Sequence, residues 1–253
     1  MTPEELLQGL MFEAENNSTF HGFSKESLEF FDSFPEDRSL SNEWWRVQKE
    51  VNENYLKPEF EALIQSIIDI VSKFDNGIEK KPKTCIGRPT NQNKGEALAY
   101  RWAAIHSEGT DKRIDVQFFI NLTSVGLRLG IYSGLHMREP DAWRARSKRI
   151  INNKESVFEQ VQILQGIGYR MGKTTSQDHA NKSGGIEYLP STSEEMIKII
   201  TTDKQFDIIK TVDVRGFSAR EIIGTVLTAF AETRMLYQLL QPSSYSNYAR
   251  DLV

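Results

Sequence analysis

The sequence contains one cysteine, Cys85, in 253 residues. That excludes an internal disulfide and any zinc centre built on several thiolates. Its apolar runs are short, and none approaches the ~20 residues needed to cross a bilayer. The Met-Thr-Pro-Glu-Glu start has neither the basic residues nor the apolar stretch of a secretory leader. A cytoplasmic location is the resulting expectation. Histidine is scarce too: His21, His106, His136 and His179 show no His-Glu-x-x-His or other close ligand spacing. Each therefore reads as a surface or structural residue, and no metal or other cofactor is expected. There is no Gly-x-Ser-x-Gly nucleophile elbow. Cys85 has no histidine partner that the sequence can place, so it reads as a small core residue in a strand.

A phosphate loop is also missing, although "GIGYRMGKTT" (166–175) resembles one. The motif needs Gly, four residues, then Gly-Lys-Ser/Thr, so that consecutive backbone N–H groups wrap the phosphates. Counting back from Gly172-Lys173-Thr174 puts Ile167 where the first glycine belongs. An amphipathic helix precedes the segment, and the following "TSQDHANKSGG" does not read as helix. Gly166 is better explained as a left-handed helix cap.

What the chain does have is an uneven charge. Residues 1–79 hold 6 Lys/Arg against 17 Asp/Glu, residues 80–154 hold 15 against 6, and residues 155–253 hold 10 against 12. A basic middle in an acidic chain points to an anionic partner, or to mutual neutralisation of sheet and helices within the fold.

The periodicity divides the chain the same way. The first ~75 residues read as helices. Ser24 is an N-cap with Phe23 as its staple toward Leu28. Trp44, Val47, Val51 and Tyr55 recur at helical spacing, and Pro58 reads as the first residue of a new helix. That helix carries the stripe Phe60, Leu63, Ile64, Ile67, Ile68 and Val71, and Asp75-Asn76-Gly77 stops it. From about Lys81 the period becomes two. Ile114, Val116, Phe118, Ile120 and Leu122 alternate with Asp115, Gln117, Phe119 and Asn121. After a turn at Thr123-Ser124, Val125, Leu127, Leu129 and Ile131 alternate with Gly126, Arg128, Gly130 and Tyr132. This is a hairpin, and "KTCIGRP" and "LAYRWAAIHS" read as two further strands. Helix returns from Pro140, followed by a strand "IEYL", a helix capped by Thr192 and Glu195, and a strand "FDIIKTV". A long helix launched by Ser218 and Glu221 runs to about Leu240. The expected fold is a single α+β domain over 1–253, with N-terminal helices on one mostly antiparallel sheet.

The basic middle calls for a nuclease check. Asp111 and Asp115 lack a following lysine on the strand, and Glu79-Lys80-Lys81 lies at a helix end, so the metal-nuclease pattern is not met. As a nucleic-acid surface the cations read better. Arg88, Arg101, Arg113 and Arg128 lie on or beside strands, and Arg144, Arg146, Lys148 and Arg149 lie on or near one helix. Aromatic residues, Trp102, Tyr132 and Trp143, are interleaved with them. Guanidinium and ammonium groups suit phosphates, and aromatic faces suit unpaired bases. Because Arg113, Asp115 and Gln117 alternate with the apolar series, the cations are expected to gather on one open face of the sheet. Against this, packing in the core is the commoner role for Trp102 and Trp143.

The segments "GFSKESLEFFDSF", "EWWRVQKEVNENYLKPEFEALIQSI", "W-A-A-I" and "VQFFINLTSVGLRLGIYSG" resemble a group of bacterial helix-then-sheet proteins. Trp45, Lys49 and Tyr55 are the matching positions of the second helix, with a departure in the lysine-to-tyrosine spacing. Similar domains form the N-terminal, DNA-recognising part of McrB-like subunits of modification-dependent restriction systems. The resemblance implies a DNA-binding specificity domain for modified DNA, in a restriction or phage-defence system and without catalytic residues. Its implied partners are DNA, a GTPase motor domain or subunit and a separate nuclease subunit, with no membrane. It also implies an extruded base in an aromatic pocket, with Tyr100, Trp102 and Tyr132 as the stacking residues. Two alternatives stay open on the residues alone. One is an enzyme for a small anionic substrate, with Arg88, Arg113 or Arg128 as anion anchor. The other is a protein-interaction subunit using the acidic helices.

Overall fold

A computed structural model describes residues 2–90, 96–109, 116–134, 147–183, 185–203 and 205–241. Four helical segments open the chain: α1 (Pro3–Asn17), α2 (Lys25–Leu28), α3 (Ser41–Val51) and α4 (Lys57–Val71). Thr2 and Glu5 form a reciprocal capping box that starts α1, and Ser24 caps α2 through the Ser27 N–H. The α4 stripe is buried along its whole length. Between α3 and α4 the helix does not break as expected. Asn52–Leu56 is a π-helical turn that leads into Lys57, so Pro58 sits inside a continuing helical path. Proline lacks an N–H and its ring crowds the carbonyl four residues back; a widened turn just before it accommodates both. The buried stripe differs from the expected one. Ser41, Trp44, Asn52 and Leu56 face inward, whereas Val47 is 73% exposed and Tyr55 40%.

A short helix α5 (Pro82–Cys85) follows, where a strand was predicted, so the buried thiol of Cys85 ends a helix rather than lying in the sheet. The Ile86–Ala103 bridge and the Gly87 N–H bond to the Trp102 carbonyl attach this region to the sheet edge, and Thr90 bridges to Ala97. The sheet has six strands: β1 (Tyr100–Ile105), β2 (Gln117–Thr123), β3 (Gly126–Gly134), β4 (Arg170–Lys173), β5 (Ile186–Tyr188) and β6 (Gln205–Val212). Their spatial order is β1-β2-β3-β6-β4-β5, and every pairing is antiparallel. Ser124 and Val125 make the β2–β3 turn, which moves Val125 out of the strand and leaves it exposed.

Around the later strands lie helical backbone at 147–152, α6 (Lys154–Gly166), α7 (Ser176–Ala180), α8 (Ser193–Asp203) and α9 (Ala219–Leu240). Ser218 and Glu221 form the capping box that launches α9. Thr192 caps α8 through the Glu195 N–H, while the Glu195 carboxylate accepts from Ser191. At the end of α6 the left-handed residue is Gly168 (φ +93°) instead of Gly166, and the Tyr169 N–H reaches back to the Leu164 carbonyl. β4 follows within a few residues. The segment after it does form one helical turn, α7, because Thr175 and Asp178 cap it reciprocally.

Strand register sorts the side chains onto two faces. Phe118, Ile131, Ile208 and Met171 lie in one row, with Ile120 and Leu129 beside them. This face packs on α9, as in the edge-to-face contact of Phe118 with Phe230 (5.3 Å). α1 and α6 pack on α9 in turn, and α4 packs on α1 and β1. No helix among the described residues is long and apolar enough to cross a membrane.

Candidate functional site

The opposite face of the sheet carries the polar members of each alternation, and these prove to be buried. Gln117, Asn121, Thr123 and Arg128 are all closed to solvent. The expected open basic face is therefore not formed by the sheet. Arg101 and Arg128 fall on opposite faces, because Arg101 pairs with Leu122 and Arg128 with Asn121 in the register. Arg101 is 6% exposed on the helix-covered side, with Glu61 of α4 at 3.8 Å. Burial pulls its guanidinium below the usual arginine range, and Glu61 opposes that. The Arg101–Glu61 pair and the Arg38–Glu96 pair (2.8 Å) join the acidic helices to the basic middle. Only the first of these sets an acidic-helix carboxylate against a cation of the basic middle.

Arg128 instead lines a cavity of about 360 Å³ on the other face. Three rows of cross-strand neighbours form its base. The first is Trp102–Asn121–Arg128, the second Phe119–Gly130–Ile209 and the third Gln117–Tyr132–Asp207. Gly130 leaves the middle row low. It has φ +147°, and a Cβ there would lie 2.0 Å from the Ile208 carbonyl oxygen, so no side chain fits. Trp102 is placed from below by another glycine: a Cβ on Gly87 would lie 1.9 Å from the indole. Tyr100 and the segment Thr174, Thr175 and His179 complete the wall.

The charged groups come from β3 and β6 and meet the segment that follows β4. Arg128 donates from Nη2 to the Thr174 hydroxyl (2.8 Å) and from Nη1 toward the His179 ring (3.0 Å to Nδ1). Arginine offers no acceptor, so a ring nitrogen of His179 presents its lone pair. Burial, and secondarily the Arg128 charge, push His179 down to about 3, which keeps it neutral. Its ring rests against Tyr100 with centroids 4.3 Å apart. Asp207 accepts from the Thr174 N–H through Oδ2 (2.9 Å), leaving Oδ1 as the carboxylate's other acceptor. Burial pushes Asp207 above the usual carboxylate range, while Arg128 and Thr174 oppose the shift. Arg128 and Asp207 are linked through Thr174, whose hydroxyl accepts from the first and whose N–H donates to the second.

Asn121 differs from these groups. It is 0% exposed at the base of the cavity, and neither Oδ1 nor Nδ2 has a hydrogen-bond partner among the described residues. Buried amides are almost always paired, since an unsatisfied donor or acceptor costs about 1–3 kcal/mol. An unpaired amide beneath an aromatic-walled cavity is a feature with a ligand-shaped explanation.

Of the residues singled out from sequence, Tyr100, Trp102, Tyr132 and Arg128 come together here. Arg88 and Lys148 are exposed and Arg149 is half-buried, all outside the cavity lining. Arg113, Arg144, Arg146 and Trp143 lie outside the described residues, as do Asp111, Asp115 and His136. Sequence reasoning missed Asn121, Phe119, Asp207, Thr174 and the cavity role of His179. Only the alternation hinted at Asn121, as a polar residue in phase with Gln117. Among the described residues no cluster of three or more His, Cys, Asp or Glu could hold a metal. No protein-family model matches the chain, and no curated protein matches it in sequence.

Proposed function

We propose that this chain is a DNA-recognition module that takes a single base, extruded from the duplex, into the cavity on the β1–β6 face. The observation that carries the reading is the unpaired amide of Asn121 under the walls of Tyr100, Trp102, Phe119 and Tyr132. A flipped base is held in this way: its faces stack on aromatic rings and its edge is read by hydrogen bonds. An asparagine amide offers one donor and one acceptor side by side, the match for a base edge with adjacent acceptor and donor.

The DNA assignment also draws on the resemblance to McrB-like recognition domains and on the cations of residues 80–154. Under this reading Lys148, Arg149 and Arg88 contact phosphates, and a motor and a nuclease are separate partners. The small-anion alternative is disfavoured by the surroundings of Arg128. Its Nη atoms are engaged by Thr174 and His179 and its charge is answered by Asp207, which suits a neutral heterocycle better than an anion.

The test is fluorescence anisotropy with short duplexes, modified and unmodified, at two salt concentrations. Affinity is expected to fall steeply with salt. Trp102→Ala, confirmed folded by circular dichroism, is expected to weaken the preferred duplex by about tenfold to a hundredfold, the usual effect of losing one base–aromatic stack. Unchanged affinity in Trp102→Ala and Tyr132→Ala alike, or no binding to any duplex, refutes the proposal.

A further inference from the structure

The lining of the cavity changes character across the sheet. On the β1–β2 side it is uncharged, with Trp102 and Phe119 beside the amides of Gln117 and Asn121, and Tyr100 closes that end. Across β3 and β6, and along the segment that follows β4, it offers Arg128, Asp207 and the hydroxyl residues Thr174 and Thr175, beside Tyr132 and Ile209. A planar ring alone needs only the aromatic half. The cavity, at about 360 Å³, falls in the range that accommodates drug-sized ligands, ~300–1,000 Å³, with room beyond a bare base. Gly130 adds to that room by keeping the centre of the base bare between the two halves.

The chemistry of the polar half narrows what fills it. The Thr174 N–H fixes one carboxylate oxygen of Asp207 and the Thr174 hydroxyl accepts from Arg128, which sets an acceptor and donors around one threonine. Alcohol groups meet both needs, because each hydroxyl donates one hydrogen bond and accepts others. A second anion would leave Asp207 repelled, and a methyl group would offer Asp207 and Arg128 no hydrogen bond beyond those they already make with Thr174 and His179.

Building on the base-binding reading, we infer that the cavity is selective for a base carrying a bulky hydroxyl-rich substituent, such as a sugar. The ring stacks on the aromatic half, and the hydroxyls bind Asp207, Thr174 and Arg128 in the polar half.

Three duplexes of one sequence separate this inference from the reading beneath it. They carry cytosine, 5-methylcytosine, or glucosylated 5-hydroxymethylcytosine at one position, and each is titrated by anisotropy with the full chain. The glucosylated duplex is expected to bind at least about tenfold more tightly than the other two, the scale of one charge-assisted hydrogen bond. Asp207→Asn and Thr174→Val are each expected to cut that preference to about twofold. Circular dichroism and thermal melting establish that each variant is folded, and Thr174→Val keeps the test alive should Asp207→Asn not fold. Equal or tighter binding of the methylated duplex overturns the hydroxyl-rich substituent while leaving base recognition standing. A preference that survives in both folded variants overturns the assignment of the polar half. Equal affinity for all three duplexes together with an indifferent Trp102→Ala overturns base recognition itself.

Discussion

Asn121→Leu is expected to make the protein more stable and less able to bind. Leucine has the same branching and the same number of side-chain heavy atoms as asparagine, so it fills the site without polar groups. In the native chain both amide atoms are buried without partners among the described residues. An unsatisfied buried polar group costs about 1–3 kcal/mol, and removing it in favour of an apolar isostere returns that amount. Leucine's methyl groups are slightly larger than the amide, and overpacking takes back about 1 kcal/mol. The net expectation is a gain of up to about 2 kcal/mol, which for a chain of this size raises Tm by up to about 6 °C. Differential scanning calorimetry and urea titration measure the gain, and anisotropy on the preferred duplex measures the loss of affinity. Asn121→Asp is the opposing control: it buries a charge and should destabilise strongly. A Leu variant that melts well below the parent would refute the reasoning, because it would mean that the amide is already satisfied in the unliganded protein.

Other outcomes follow from the same geometry. His179 is neutral in the fold with its pKa held near 3 against an ordinary 6.5, so the unfolded chain binds its proton first as pH falls. Stability should be level above pH 6.5 and decline below it, by about 2 kcal/mol at pH 5 from this group alone. Urea titrations of His179→Gln should lose that component of the slope, and an unchanged slope would show that the imidazole is not held neutral. Gly130→Ala places a Cβ against the Ile208 carbonyl at a positive φ, and a loss of about 3 kcal/mol or more is expected in chemical denaturation. Arg101→Met and Arg128→Met should part company. The first replaces a helix-side cation whose partner Glu61 is half-exposed, and should leave DNA affinity unchanged. The second strands Asp207 in the cavity wall, and should cost about 3–5 kcal/mol in stability along with binding. Equal effects of the two on affinity would count against the face assignment.

The regular elements were legible because their determinants are local. Ser24, Thr192 and Ser218 are caps whose partners lie three residues away, and the α4 stripe and the β2–β3 alternation are periods that any window of ten residues reveals. Readings failed where a local exception intervened. The π turn before Pro58 holds Tyr55 outward, and the bond from Tyr169 to Leu164 accompanies a left-handed residue at Gly168 instead of Gly166. "KTCIGRP" has a strand-like pattern, but Pro82 at the first turn of a helix and a single bridge to β1 make it a helix and an edge.

Taken alone, then, the amino-acid order determined the α+β class, the hairpin, the helix caps and the aromatic and basic character of the middle segment. All of these depend on neighbours a few residues apart. Tertiary structure decided what those residues face. Antiparallel register sent Arg101 to the helices and Arg128 to the cavity, and strand order brought Asp207 beside Tyr132 across a gap of 75 positions. The loop after β4 then closed His179 over them. Such long-range partners leave no periodic trace in sequence, because a polar residue pointing away from the core reads the same whether water or a binding site lies beyond it.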